Sequence, residues 1–195
     1  MNFCSACGDS LETRIPAGDD RTRHVCPACG IVHYQNPKIV TGCLPVWENS
    51  VLLCKRAIEP RSGYWTVPAG FMELDETVEQ GAMRETWEEA RARGEILAPC
   101  SMFSLPHVNQ LYVIFRARLK DLDFRPGPES TDVRLFSEQE IPWDDLAFGT
   151  VRHTLGFYFQ DLTHGRFPLR TGTVGSIAEG FPFTPGADDQ LNIPR

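Results

Sequence analysis

The alternation of apolar and polar positions predicts a strand-rich body that begins near residue 38. Two stretches rich in Val, Leu and Ile, Lys38–Trp47 and Val51–Ala57, flank a short polar turn, as in a β-hairpin. A short strand is predicted at Tyr64–Val67, and the following Pro68-Ala-Gly70 should end it. Three further stretches have the composition of strands: Ile96–Leu105, Gln110–Leu119 and Val133–Phe136.

Two segments have the period of an α-helix. The first runs from about residue 76 to residue 92, and Thr77 and Gln80 are spaced as a capping box at its start. The second runs from about residue 150 to residue 162 and has one apolar face, made by Val151, Leu155, Phe159 and Leu162. Helices and strands together predict a mixed α/β fold.

The two ends of the chain differ in composition from this body. Residues 1–35 are rich in Cys and show no helical period, whereas residues 166–195 are rich in Gly, Pro and Thr. We therefore predict a small N-terminal unit (1–35), a main domain (36–165) and an irregular C-terminal tail (166–195).

The N-terminal unit has the cysteine spacing of a metal site. Two C-x-x-C pairs are separated by 18 residues: Cys4 and Cys7, then Cys26 and Cys29. Gly8 and Gly30 follow the pairs and allow each turn to close, and four thiolates complete a tetrahedral structural Zn²⁺ site. So short a segment cannot bury enough apolar surface to fold alone, so metal binding should supply the free energy. A redox pair, or His24 or His33 in place of one cysteine, is the alternative.

The overall charge limits the classes of partner. The 195 residues include 26 acidic and 19 basic side chains, a net charge of −7, which disfavours binding to nucleic acid through its phosphates. The chain has no apolar run long enough for a membrane helix and no secretory signal at its start, so we expect a cytoplasmic protein. If the protein binds phosphates, bound cations must contribute positive charge.

The first predicted helix concentrates carboxylates on one side. At about 100° per residue, Glu85, Glu88 and Glu89 share an arc of about 100°. Like charges so close destabilise a helix unless a cation lies between them, and oxygen ligands suit Mg²⁺ or Mn²⁺. Gly81 lies under the same arc and suggests room for a ligand to approach. A solvated acidic face is the alternative.

The spacing of this segment resembles the Nudix box, G-x5-E-x7-R-E-U-x-E-E-x-G-U. The matching positions are Gly70, Glu76, Arg84, Glu85, Glu88 and Glu89. Two positions depart from the pattern, because Thr86 replaces an aliphatic residue and Arg91 replaces the later glycine. The resemblance implies an α/β/α sandwich with a mixed sheet. It also implies divalent-metal-dependent hydrolysis of a nucleoside diphosphate linked to another moiety.

The resemblance also implies roles for individual residues. Glu85, Glu88 and Glu89 are expected to hold Mg²⁺ or Mn²⁺, together with the backbone carbonyl of Ala69 or Gly70. Arg84 is expected to orient the acidic side chains, with Glu76 as its partner. The general base is either Glu85 or Glu129, which lies in a Gly- and Pro-rich loop. Phe71 is the candidate for stacking on the substrate.

A zinc ribbon before a Nudix domain is similar to two branches of the family. The NADH pyrophosphatase branch shows an SQPWPFPxS motif that the segment 103–116 lacks. We therefore expect a small dinucleotide substrate, FAD or ADP-ribose, which is cleaved to AMP plus FMN or ribose 5-phosphate. Because related diphosphatases are commonly dimers, we also expect a homodimer. NADH pyrophosphatase activity is one alternative. A nucleotide-sensing regulatory protein without hydrolysis, or an enzyme acting on capped RNA or a nucleoside triphosphate, is another.

Overall fold

The computed structural model describes residues 1–176, 180 and 182–186. This part of the chain divides into two compact units, of which the first comprises Met1–Pro37 and the second begins at Lys38. No helix among the described residues is long and apolar enough to span a bilayer.

The N-terminal unit contains one small antiparallel sheet. Its three strands are β1 (Glu12–Arg14), β2 (Arg23–Val25) and β3 (Val32–His33), arranged in the order β1-β2-β3. Val25 is the buried apolar residue of these strands, and the buried sulfurs of Cys4 and Cys26 accompany it. With so little apolar surface inside, the cysteine cluster must supply much of the cohesion of this unit.

The second unit is built on one mixed sheet. Its described strands are β4 (Lys38–Trp47), β5 (Ser50–Arg56), β6 (Trp65–Thr66), β7 (Ala69–Phe71), β8 (Gly94–Leu105), β9 (Gln110–Leu119), β10 (Ser130–Phe136), β11 (Arg170–Val174) and β12 (Phe183–Pro185). The main order is β10-β5-β4-β9-β8-β11-β12, with β6 beside β5 and β7 beside β4. The β4–β9 and β8–β11 pairs are parallel, while β4–β5 is the predicted antiparallel hairpin.

Two helices cover opposite faces of this sheet in the described part of the chain. On one face, α1 (Val78–Ala90) packs Ala82 against Cys43 and Phe115. On the other, α2 (Gly149–His164) packs its predicted apolar side into the main core with Leu44. Cys43 and Leu44 are neighbours in β4 and point to opposite faces, as strand geometry requires. The α/β/α sandwich expected from the sequence is confirmed.

Three stretches differ from the prediction. Ala69–Phe71 was expected to end a strand, but it forms β7 because its backbone pairs with β4. Arg170–Val174 and Phe183–Pro185 lie in the segment expected to be irregular, and they form two strands at the sheet edge. They are strands because β11 pairs with β8 and with β12, and the Gly- and Thr-rich composition of this segment does not indicate that pairing. The rest of that expectation, at residues 177–179, 181 and 187–195, lies outside the described residues.

Candidate active site

A cavity of about 680 Å³ lies in the second unit, at the side of the sheet where β4, β7 and β9 meet the start of α2. This volume is typical of small-molecule sites. Six glutamates line it, and four of them are the candidate site residues Glu85, Glu88, Glu89 and Glu129. Apolar and aromatic side chains form much of the remaining wall, including Val40, Phe71, Leu105, Tyr112, Ile114 and Phe148. The sequence-predicted acidic residues therefore share one cavity with an apolar surface.

The start of α1 explains how its carboxylates are placed. Thr77 is the N-cap, and its side chain and that of Gln80 make the reciprocal hydrogen bonds of a capping box. This cap fixes where the helix begins. Glu85 and Glu89, one helical turn apart, are consequently both buried on the side that faces the cavity.

Arg84 joins three of the acidic side chains. Its Nε and Nη2 donate to the two carboxylate oxygens of Glu76 at 3.0 and 2.9 Å. Its Nη1 lies 2.8 Å from a carboxylate oxygen of Glu85 and 3.2 Å from one of Glu88. The Arg84 guanidinium, together with the backbone N–H of Glu73, lowers the pKa of Glu76 to about 2. Arg84 is therefore an internal brace, fully engaged by protein oxygens.

Glu85 and Glu89 are in a different electrostatic situation. Burial raises the pKa of Glu89 to about 8, and the negative charge of Glu85 adds to this effect. Burial also raises the pKa of Glu85, although Arg84 opposes the shift. Among the described residues, no basic side chain lies within ion-pair distance of Glu89. Buried carboxylates that lack a full counter-charge favour a bound cation.

Close backbone contacts hold the walls against these carboxylates. The backbone of Gly70 lies directly against the carboxylate of Glu85, so that a Cβ at this position would overlap it. Gly127 lies against the backbone carbonyl of Glu88, and its N–H donates to the Glu89 carbonyl at 2.9 Å. Only glycine fits at such distances. Gly70 and Gly127 therefore bring β7 and the 126–130 loop onto α1.

Gly81 does not leave the space expected from the sequence. A Cβ there would meet the Glu76 carboxylate oxygen at 2.6 Å and the Thr41 Cγ2 at 2.8 Å. The small residue makes room for the Glu76–Arg84 pair and for β4, not for a ligand. Helix angles alone could not distinguish these two uses of the same face.

The structure places Glu129 and Phe71 at the cavity. Glu129 is exposed, and its negative charge contributes to raising the pKa values of Glu85 and Glu89. Its loop is attached to the sheet because the Ala57 N–H donates to the Glu129 carbonyl at 2.8 Å. Phe71 is 49% exposed, and the Nζ of Lys38 lies 4.9 Å from the centre of its ring.

Several cavity residues were not predicted, including Arg56, Tyr112 and Thr150. Arg56, at the end of β5, and Tyr112, in β9, face the cavity because of how their strands pair. Thr150, in the first turn of α2, also lines it. Strand position gives no signal for the two strand residues. The side chain of Tyr112 is partly buried at the cavity wall.

The four cysteines of the N-terminal unit form the compact cluster that their spacing predicts. Their four sulfur atoms all lie within 4.8 Å of one another. In the part of the chain that the structure describes, this is the group of His, Cys, Asp or Glu side chains that is close enough to hold a metal ion. The two turns are alike, since Gly8 N–H donates to the Cys4 carbonyl and Gly30 N–H to the Cys26 carbonyl, both at 2.9 Å. His33 Nε2 lies 3.4 Å from Cys4 Sγ and is a neighbour of the cluster.

The two candidate metal sites differ in their ligand atoms. Four sulfurs at this separation fit a tetrahedral thiolate site of the zinc type. The oxygen donors of Glu85, Glu88 and Glu89 fit a hard divalent cation, but Arg84 holds two of them and they are not gathered as tightly.

Comparison with known proteins finds a family match for each unit. Residues 2–35 match the model of the zinc-ribbon family described as "Nudix N-terminal", and residues 36–155 match the "NUDIX domain" model. A crystal structure of a Nudix hydrolase from Nitrosomonas europaea is 55% identical and covers 90% of this chain and 100% of that chain, with a TM-score of 0.88.

Two curated relatives carry more specific names. The NAD-capped RNA hydrolase NudC of Chromobacterium violaceum is 34% identical over 142 residues, which are 72% of this chain and 51% of that protein. The ADP-ribose pyrophosphatase of Methanocaldococcus jannaschii is 26% identical over 121 residues, which are 59% of this chain and 69% of that protein. The chain thus spans about half the length of the NudC relative. The domain match, the box on α1 and the zinc-ribbon match together show that this chain belongs to the Nudix hydrolase family.

Proposed function

We propose that this chain hydrolyses the diphosphate bond of a nucleoside diphosphate linked to another moiety, with FAD or ADP-ribose as substrate. The products are AMP plus FMN or ribose 5-phosphate. The observation that supports this proposal is the shared cavity, in which Glu85, Glu88, Glu89 and Glu129 meet an apolar and aromatic wall. An acidic end suits metal-assisted phosphoryl chemistry, while the apolar wall suits a flat ring.

In this proposal, Glu85, Glu88 and Glu89 hold Mg²⁺ or Mn²⁺, with a backbone carbonyl of Ala69 or Gly70. When bound, such ions lower the pKa of water and neutralise charge that develops on the phosphoryl oxygens. The protein residues position the reacting groups. Arg84 keeps Glu85 and Glu88 in place through its hydrogen bonds, and Glu76 fixes the Arg84 guanidinium.

The general base accepts a proton from the attacking water, and two residues are candidates. Glu85 is buried and hydrogen-bonded to Arg84, which limits its freedom to accept a proton. Glu129 is exposed, lies on a loop that is held against α1 and faces the same cavity. These contacts favour Glu129. Glu129→Gln should lower kcat by about 100-fold or more while KM changes little, whereas retention of wild-type kcat would assign the role to Glu85.

The substrate is the finer part of the proposal. FAD and ADP-ribose share the AMP half, and the relatives are named for NAD-capped RNA and for ADP-ribose. The absence of the SQPWPFPxS motif separates the chain from the NADH branch. NADH hydrolysis is the second candidate, and the NudC relative favours it.

The direct experiment is a substrate panel with purified protein. FAD, ADP-ribose, NADH and NAD⁺ are incubated with Mg²⁺, with Mn²⁺ or with EDTA, and AMP release is measured by chromatography. We expect metal-dependent AMP release that is fastest with FAD or ADP-ribose. Glu88→Gln serves as an inactive comparison and Glu79→Gln, an exposed residue of the same helix outside the cavity, as a matched active one. Absence of AMP from every substrate would refute the proposed function.

A further inference from the structure

The N-terminal ends of α1 and α2 differ in how they are capped. Thr77 caps α1 with its side chain, whereas Phe148, the residue before α2, makes no side-chain cap. The first backbone N–H groups of a helix have no partner within the helix. In α2, the N–H groups of Val151 and Arg152 donate to the Phe148 carbonyl. Gly149 and Thr150, the first two residues of α2, line the cavity wall.

The side chain of Thr150 adds an independent observation. Thr150 is 2% exposed, and its Oγ1 is buried without a hydrogen-bond partner among the described residues. Thr154, one turn later in α2, is similarly buried, but its hydroxyl bonds to Ser101 at 2.9 Å. An unpaired buried hydroxyl lowers stability. Threonine in a helix alternates between two χ1 rotamers, so the Thr150 hydroxyl can turn toward the cavity that its side chain lines.

A guanidinium lies beside this helix end. The Cζ of Arg56 is 5.1 Å from the centre of the Phe148 ring. Its Nε donates to the Pro60 carbonyl at 2.9 Å, which fixes the group in place. Two basic side chains of the described residues line the cavity, Arg56 and Arg84. Arg84 is already paired with the carboxylates of Glu76 and Glu85. Arg56 has no ion pair within 4 Å among the described residues and is therefore available to an anion.

We infer that the first turn of α2, the Thr150 hydroxyl and the Arg56 guanidinium form an anion subsite that binds one phosphate group of the substrate. A helix N-terminus attracts anions, its N–H groups and the hydroxyl donate hydrogen bonds, and arginine suits phosphate geometry. Tetrahedral phosphate oxygens can accept from all three. The inference rests on the proposed function for its substrate, and it explains how a cavity lined by more acids than bases can admit a diphosphate without relying on metal ions alone.

The test measures binding, so that it does not depend on hydrolysis. Inorganic phosphate, AMP and adenosine are titrated into the full chain without added Mg²⁺ or Mn²⁺, and affinities are obtained by calorimetry or NMR. Thr150→Val keeps the shape of the side chain and removes the hydroxyl. We expect it to weaken phosphate and AMP binding by about tenfold and to leave adenosine binding unchanged. Thr150→Ser should retain most of the affinity.

The same variant makes an opposite prediction for stability. Because the hydroxyl is unpaired in the free protein, Thr150→Val should raise the melting temperature. Thr154→Val is the matched control, and it should lower the melting temperature because it breaks the bond to Ser101, while phosphate affinity stays at the wild-type value. Arg56→Gln should weaken phosphate binding, whereas Arg118→Gln, which loses only the exposed pair with Glu95, should not.

The outcomes separate this inference from the proposed function. Unchanged phosphate affinity in Thr150→Val and Arg56→Gln overturns the subsite, even if the substrate panel succeeds. A loss of adenosine binding with retained phosphate binding also overturns it, since the helix end would then contact the base. Phosphate binding that depends on Thr150 and Arg56, in a protein that hydrolyses no dinucleotide, upholds the subsite and refutes the hydrolase proposal.

Discussion

The cysteine cluster and the glutamates of α1 are both candidate ligand sets, but they are assembled differently. The cysteines come from two short turns with the same backbone hydrogen bond, and their sulfurs lie within 4.8 Å of one another. The glutamates lie on a helix whose place depends on the packing of α1 on the sheet, and Arg84 braces two of them. Local geometry builds the first set and tertiary structure builds the second.

The difference predicts opposite effects of losing a ligand. A structural cluster contributes folding free energy, so removing one ligand should destabilise its unit. A functional set of buried like charges opposes folding, so removing one ligand should stabilise the metal-free protein while activity falls. The predictions below test this contrast.

The largest effect is expected at the cysteine cluster. Cys26→Ser removes a buried candidate ligand, and structural zinc contributes about 10 kcal/mol or more to the folding of zinc-finger peptides. We expect loss of the bound zinc, measured by mass spectrometry, and rapid proteolysis within residues 1–37. Ala6→Ser, an exposed position between Cys4 and Cys7, is the control and should keep both. One equivalent of zinc retained in Cys26→Ser would contradict a four-thiolate site.

Glu89→Gln tests the other side of the comparison. The change removes one carboxylate donor, so metal-dependent hydrolysis should fall by at least about 100-fold. It also removes a carboxyl group whose ionisation is opposed by burial and by Glu85, so the melting temperature without added Mg²⁺ or Mn²⁺ should rise at neutral and higher pH. Glu79→Gln should change neither quantity by much. A lower melting temperature together with normal turnover would show that Glu89 has a structural role.

Several of these features could be predicted from the sequence because they depend on residues that are close together in the chain. The C-x-x-C turns and the capping box at Thr77 depend on residues a few positions apart. The placement of Glu129 was also anticipated, because a Gly- and Pro-rich loop is a suitable carrier of a catalytic side chain. Spacing alone indicated the cysteine cluster, whereas the glutamates were indicated by the resemblance of their spacing to the Nudix box.

The parts that were missed depend on distant pairing. Arg56 faces the cavity because β5 ends beside the start of α2, and Thr150 is distinctive only because no partner reaches its hydroxyl. The strand β11 exists through its parallel pairing with β8, some 70 residues away in sequence. No periodicity within a segment records such contacts.

Glu76→Gln should have an intermediate effect. Glu76 accepts two hydrogen bonds from Arg84, so its loss should let the guanidinium move and bind Glu85 and Glu88 more tightly. Residues that orient metal ligands typically contribute about 10- to 100-fold to affinity or activity. We expect the Mg²⁺ concentration for half-maximal rate to rise in that range. Asp75→Asn, a neighbouring exposed change, should leave this concentration unaltered.

The smallest effect concerns the left-handed residues that end both motifs. In the cysteine turns these are Gly8 and Gly30, with φ of 79° and 76°, whereas Arg91 ends α1 with φ of 50°. A side chain in this conformation costs about 1–2 kcal/mol. Arg91 recovers part of this cost, since its guanidinium lies 5.5 Å from the centre of the Trp87 ring.

Arg91→Gly should therefore stabilise the protein, but only slightly. Relief of the left-handed strain is offset by the greater freedom of glycine in the unfolded chain and by loss of the contact with Trp87, which leaves a net gain of about 0.5 kcal/mol. Chemical denaturation measures this gain, and kcat should stay at the wild-type value because Arg91 lies outside the cavity. Arg91→Ala keeps the strain without the guanidinium and should be less stable than wild type. Equal stability of the Gly and Ala variants would show that the strain at the end of α1 is negligible.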